Sequence, residues 1–132
     1  MAVDGFDPSL LKTGLTDDVM LQFLAASERL DDAQFGLDEL AVKRLGPLAR
    51  SDAGDWPAAA GGLDSAQIIA LVRLFTLAEE RLAGWDAAAR SPVIELVREL
   101  KARDAYPADL TSWIKANTTN RFLPHGSLMD RL

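Results

Sequence analysis

A single histidine, His125, and the lack of any cysteine decide most of the chemistry open to this 132-residue chain. Zinc sites of the finger type need four Cys or His ligands, and a di-iron bundle needs paired Glu-x-x-His motifs, so neither can be assembled. Without thiols there is no disulfide and no cysteine nucleophile. His125 has Ser127 two residues away, but a Ser-His-Asp set draws its members from separated positions that hold one another in attack geometry, and two neighbours in one tail lack that support. Arg73, Arg121 and His125 would make an enzyme site only if the fold joined them in one polar pocket. The adjacent carboxylates Asp17/Asp18, Asp31/Asp32 and Glu79/Glu80 diverge by about 100° on a helix, so they read as first-turn or surface charges, not as acid–base pairs. The stretch from Asp31 has Gly36 at the sixth place of a calcium loop, yet Ala33 and Phe35 stand where oxygen ligands belong and Val42 occupies the twelfth place. Neither GxGxxG nor GxxxxGK[ST] occurs. The expectation is a chain with no catalytic residues, no metal and no cofactor.

The net charge is −6 and is unevenly spread. Residues 1–89 carry 7 Lys/Arg against 15 Asp/Glu, or −8, whereas residues 90–132 carry 7 against 5, or +2. Such a balance disfavours generic attraction to phosphate backbones or anionic lipid and allows an acidic face for a basic partner. The longest apolar runs, such as residues 68–72, fall far short of the roughly 18 residues that a membrane span needs. With an acid at Asp4 and no basic stretch before an apolar one, the first residues do not read as a secretion signal, and the expected compartment is the cytoplasm.

A hydrophobic share of 48% with 26% charged residues is enough to build one core, so residues 1–132 read as one folded domain with an N-terminal arm at 1–14 and a C-terminal tail at 118–132. Thr16 caps a first helix with Asp17 and Asp18 in its positive first turn, and Met20, Phe23, Leu24, Ser27 and Leu30 follow helical spacing. Asp38 opens a second, with Leu37, Leu40, Ala41 and Leu45 along its inner face and Gly46-Pro47 as its stop. Residues 51–62 carry the punctuation of a loop. Asp64 and Gln67 form a capping box for the most apolar helix, whose Ile68–Ala78 stretch leaves a narrow polar stripe through Arg73, Thr76 and Glu80. Ser91-Pro92 caps a fourth helix to about Arg103, and residues 108–117 form a short fifth with Leu110, Trp113 and Ile114 inward. No stretch alternates with period two between turn signals, so the fold class is all-α. The expected architecture is a compact bundle of about five helices, or two stacked αα-hairpins, ending in an ordered non-helical tail. A faint echo, FLAASERL at 23–30 and FTLAEERL at 75–82, is compatible with either.

The tail holds Arg121, Phe122, His125, Leu128 and Met129, with residues 123–126 fitting a type I turn that would make two apolar arms. Those arms either seal this chain's own core or meet a second chain. Trp56 and Trp85 sit in connectors, where an indole is either a plug at the end of a bundle or an interface anchor. These seven residues are the candidate partner-binding set. The function expected is a small non-catalytic interaction or adaptor protein that binds another protein or itself. The alternative is a nucleic-acid-associated regulator using the helix-turn-helix-like segment 92–121, with Thr111, Ser112, Lys115 and Asn117 on its second helix, although a proline stands in the turn and the positive excess is small.

Overall fold

The computed structural model describes residues 15–120 and Leu123. Among these there are six α-helices and no strand: α1 (Asp17–Ser27), α2 (Glu39–Leu45), α3 (Trp56–Gly61), α4 (Ser65–Arg81), α5 (Pro92–Ala102) and α6 (Leu110–Asn117). They pack as an all-α bundle around α4. No helix among the described residues is long and apolar enough to cross a membrane.

The helix starts follow local chemistry. Free backbone N–H groups at each start are taken by a side-chain oxygen just upstream. Thr16 accepts from Val19 N at 3.2 Å, Asp38 from Ala41 N at 2.8 Å, and Ser91 from Val93 N at 3.2 Å ahead of Pro92. At α4 the Asp64 carboxylate accepts from Gln67 N at 2.8 Å while the Gln67 side chain accepts from Asp64 N at 3.0 Å, closing the capping box. The segment 51–62, expected as a loop, contains α3: Asp55 caps it through Ala58 N at 3.0 Å, Pro57 suits its first turn, and three alanines favour it.

Helix α4 lies against α1, α5 and α6, and buries Ile68, Leu71, Val72, Leu74, Phe75, Leu77 and Ala78. Thr76, expected on the polar stripe, is also buried, because its hydroxyl donates to Val72 O at 2.7 Å and leaves no unmet polar atom. Phe23, Trp56, Phe75 and Trp85 form the centre of the core, with Phe23 edge-on to Phe75 at 5.0 Å and Trp56 edge-on to Phe75 at 5.4 Å. Such tilted and edge-to-face pairs suit the ring quadrupoles and add to the burial term. Each indole N–H reaches a carbonyl, Trp56 to Arg50 O at 2.8 Å and Trp85 to Val42 O at 2.9 Å. Arg103 ties the end of α3 to α5, donating to Ala60 O at 3.0 Å and to Glu99 at 2.7 Å. The two echo segments share part of their setting: Phe23 and Phe75, Ala26 and Ala78, and Ser27 and Glu79 are all buried and Glu28 and Glu80 are exposed, whereas Ala25 is exposed where Leu77 is buried.

Candidate functional site

Two of the expected candidates are interior residues. Trp56 and Trp85 are both 0% exposed and bonded as above, so a partner could reach either only by opening the bundle. Arg121, Phe122, His125, Leu128 and Met129 lie outside the described residues. Between them Leu123 is fully buried in the core, so that point of the tail rests on this chain's own interior. Arg73 lies over the Trp113 ring at 5.7 Å, with its Nε buried and unpartnered. On α6, Thr111 shares a hydrogen bond with Tyr106 at 2.7 Å and the Asn117 amide donates to Trp113 O at 2.8 Å, leaving Ser112 and Lys115 exposed.

The tail meets the bundle at a carboxylate junction that is absent from local sequence signals. Glu79, expected at the surface, is 7% exposed. It receives a hydrogen bond from the Ser91 hydroxyl on one oxygen and from the Asn120 amide at 3.2 Å on the other. Asn120 also donates to the carbonyl of Ala88 at 3.0 Å, and that alanine is held in the left-handed region at φ +51. Next door, the exposed Glu80 accepts from both the backbone and the hydroxyl of Thr119. Burial raises the Glu79 pKa from 4.5 to about 7; the Ser91 and Asn120 hydrogen bonds oppose this and the charges of Glu80 and Asp86 add to it. Glu79, Glu80, Asp86, Thr119 and Asn120 line a shallow cleft of about 290 Å³. Ser91 is itself fully buried and is held by its capping and carboxylate bonds, so this junction reads as a clasp between α4, α5 and the tail. Among the described residues, no group of three or more His, Asp or Glu side chains could hold a metal ion.

A second place differs in kind. Leu21 on α1 is 63% exposed and Leu40 on α2 is 78% exposed, and these are the large apolar side chains that the described residues leave in solvent. Leu40 was expected inward; instead α2 is turned so that Ala41, Val42 and Leu45 face the core, because the Val42 carbonyl must meet the Trp85 indole. One turn beyond Leu40, Arg44 donates to Gln22 of α1 at 2.7 Å and links the two helices. Beside that link lies a notch of about 170 Å³ lined by Gln22, Ala25, Ala26, Arg29, Phe35, Gly36 and Leu37. Its wall is a tight turn in which Phe35 (φ +58) and Gly36 (φ +75) are both left-handed, closed by Leu37 N to Gln34 O at 2.9 Å. Gly36 suits that conformation, whereas Phe35 is strained in it and is held by burial of its ring under Arg81 at 5.4 Å. Asp32 supports the turn by accepting from Gln34 N at 2.9 Å; that bond above all, with the nearby Arg29 guanidinium, keeps its carboxyl below the ordinary range.

Comparison with known proteins finds no matching family model, no matching curated protein and no matching solved structure, so a functional reading rests on this geometry alone.

Proposed function

We propose that this chain is a non-catalytic, helical protein-binding module that seats a partner on the outer face of α1 and α2. The observation that carries the reading is the placement of two mostly exposed leucines: on α1, Leu21 is one turn before Ala25 of the notch, and on α2, Leu40 is one turn before the Arg44 that bonds the notch residue Gln22. Single exposed leucines need no explanation, but two of them on helices joined by the Arg44–Gln22 bond at a preformed recess suit an interface anchor, in which a pocket is ringed by contacts that exclude water. The strained Phe35 turn that walls the recess supports the same reading, since strain persists where the surroundings impose it and clusters at working sites.

The test is the size of the assembly in extracts of the cells that make the protein. The tagged chain is expected to elute well above the 14.3 kDa of the free chain. The double variant Leu21→Ser/Leu40→Ser is expected to elute as free chain with an unchanged melting curve, because both side chains are already in water. A complex that survives the double substitution removes this face from the proposal.

A further inference from the structure

We infer that the partner seated on the α1–α2 face is a basic amphipathic helix of a different protein, one apolar side chain entering the notch and its Lys or Arg residues meeting Asp18 and Glu28. The inference rests on the docking face proposed above and names its occupant by charge. From Asp17 to Leu45 the chain carries seven acids (Asp17, Asp18, Glu28, Asp31, Asp32, Asp38, Glu39) against three bases (Arg29, Lys43, Arg44), a local balance of −4. Arg29 is turned toward Asp32 at 3.4 Å and Arg44 toward Gln22, so two of the three bases are engaged within the face. Among the described residues no ion pair neutralises Asp17, Asp18, Glu28 or Glu39, all of which are exposed. An exposed apolar side chain between unpaired carboxylates on α1, beside a recess whose one charged lining side chain, Arg29, is turned to Asp32, is complementary to an apolar anchor flanked by cations.

The geometry selects a helix. On α1, Asp18, Leu21, Ala25 and Glu28 are spaced three, four and three residues apart, which places them in one stripe with the apolar pair in the middle and an acid at each end. At about 1.5 Å rise per residue the stripe spans about 15 Å, so a partner helix would carry its cations ten or eleven residues apart with apolar residues between them. No strand exists among the described residues to offer an edge for an extended peptide. A second copy of this chain would bring a balance of −4 against −4 on this face, which like-charge repulsion disfavours.

The probe is a fluorescent Leu/Lys peptide of about 18 residues, patterned as an amphipathic helix, with a twin in which Glu replaces every Lys. Anisotropy at about 0.15 M salt, where long-range attraction is screened, is expected to give micromolar binding of the Lys peptide and at least about tenfold weaker binding of its twin. Leu21→Ser/Leu40→Ser is expected to lose about tenfold or more for the Lys peptide, and Asp18→Lys/Glu28→Lys to invert the preference. The inference is overturned if the native chain binds neither peptide, if it binds both alike, or if both double variants bind the Lys peptide as the native chain does, which would assign binding to net charge. If the peptide fails while Leu21→Ser/Leu40→Ser still dissolves the complex in cell extracts, the face stands and its occupant has another chemistry. If the complex persists in that variant, the docking face itself has failed.

Discussion

Trp85→Ala is expected to remove about 3–5 kcal/mol of folding stability, the range for deleting a fully buried large aromatic side chain. The indole fills the space against Gly46, where an added Cβ would come within 3.1 Å of the ring, and it meets Phe23 edge-on at a centroid distance of 6.0 Å and Phe75 at a tilt at 6.4 Å. Its N–H also donates to Val42 O at 2.9 Å, so its loss removes the tie from the indole to α2 and leaves that carbonyl with its helix bond from Gly46 N–H. Total stability of a chain this size is about 5–15 kcal/mol, so the variant should sit near the edge of folding at ordinary temperature. Urea titration followed by circular dichroism measures the loss, and an unchanged midpoint would contradict the place given to Trp85 in the core.

The second large effect depends on pH. The pKa of Glu79 is about 7 in the folded chain against 4.5 as its ordinary value. A carboxyl whose folded pKa is raised binds its proton more tightly when folded, so its contribution is complete below about pH 4.5 and is lost as pH rises through about 7. At 1.36 kcal/mol per unit, the loss amounts to about 3 kcal/mol. Glu79→Gln keeps the shape, can still accept from Asn120, and has no charge to desolvate. Relative to the native chain, it should therefore gain about 2–3 kcal/mol between pH 5 and pH 8. Chemical unfolding of both proteins at the two pH values reads the difference directly. Parallel pH profiles would show that Glu79 titrates in the folded chain as it does in the unfolded one. The other acids, including the exposed Asp32 with its lowered pKa, are common to both proteins and cancel in the comparison.

The helix starts were legible because capping is local: the donor and acceptor at Thr16, Asp38, Asp64/Gln67 and Ser91 lie two or three residues apart. What depended on distant residues was hidden. In a seven-residue helix such as α2, Leu37, Leu40, Ala41 and Leu45 and the set Leu37, Ala41, Val42 and Leu45 are equally periodic, and the choice between them is made by Trp85, forty-three residues away. That choice alone turned Leu40 from a core residue into part of the candidate docking face. Glu79 is buried by partners 12 and 41 residues away, Ser91 and Asn120, and its nearest sequence clue was its alignment with buried Ser27 in the internal echo. Helix α3 was masked by Gly54, Pro57, Gly61 and Gly62, although Asp55 before Trp-Pro-Ala-Ala-Ala carries a capping signal of the ordinary kind. The apolar notch owes its shape to Phe35 in a left-handed conformation, which no propensity favours for an aromatic residue.

Site-specific photocrosslinking tests the central claim most directly. A benzophenone side chain placed at position 21, at position 40, or at the exposed control position 58 on α3 is irradiated in the cells that make the protein, and the adducts are read by mass spectrometry. Positions 21 and 40 should yield the same foreign protein, joined through a Lys- or Arg-bearing helical segment, and position 58 should not. No adduct above the level at position 58, or a crosslink from positions 21 and 40 to this chain's own residues 1–14 or 121–132, would contradict the account.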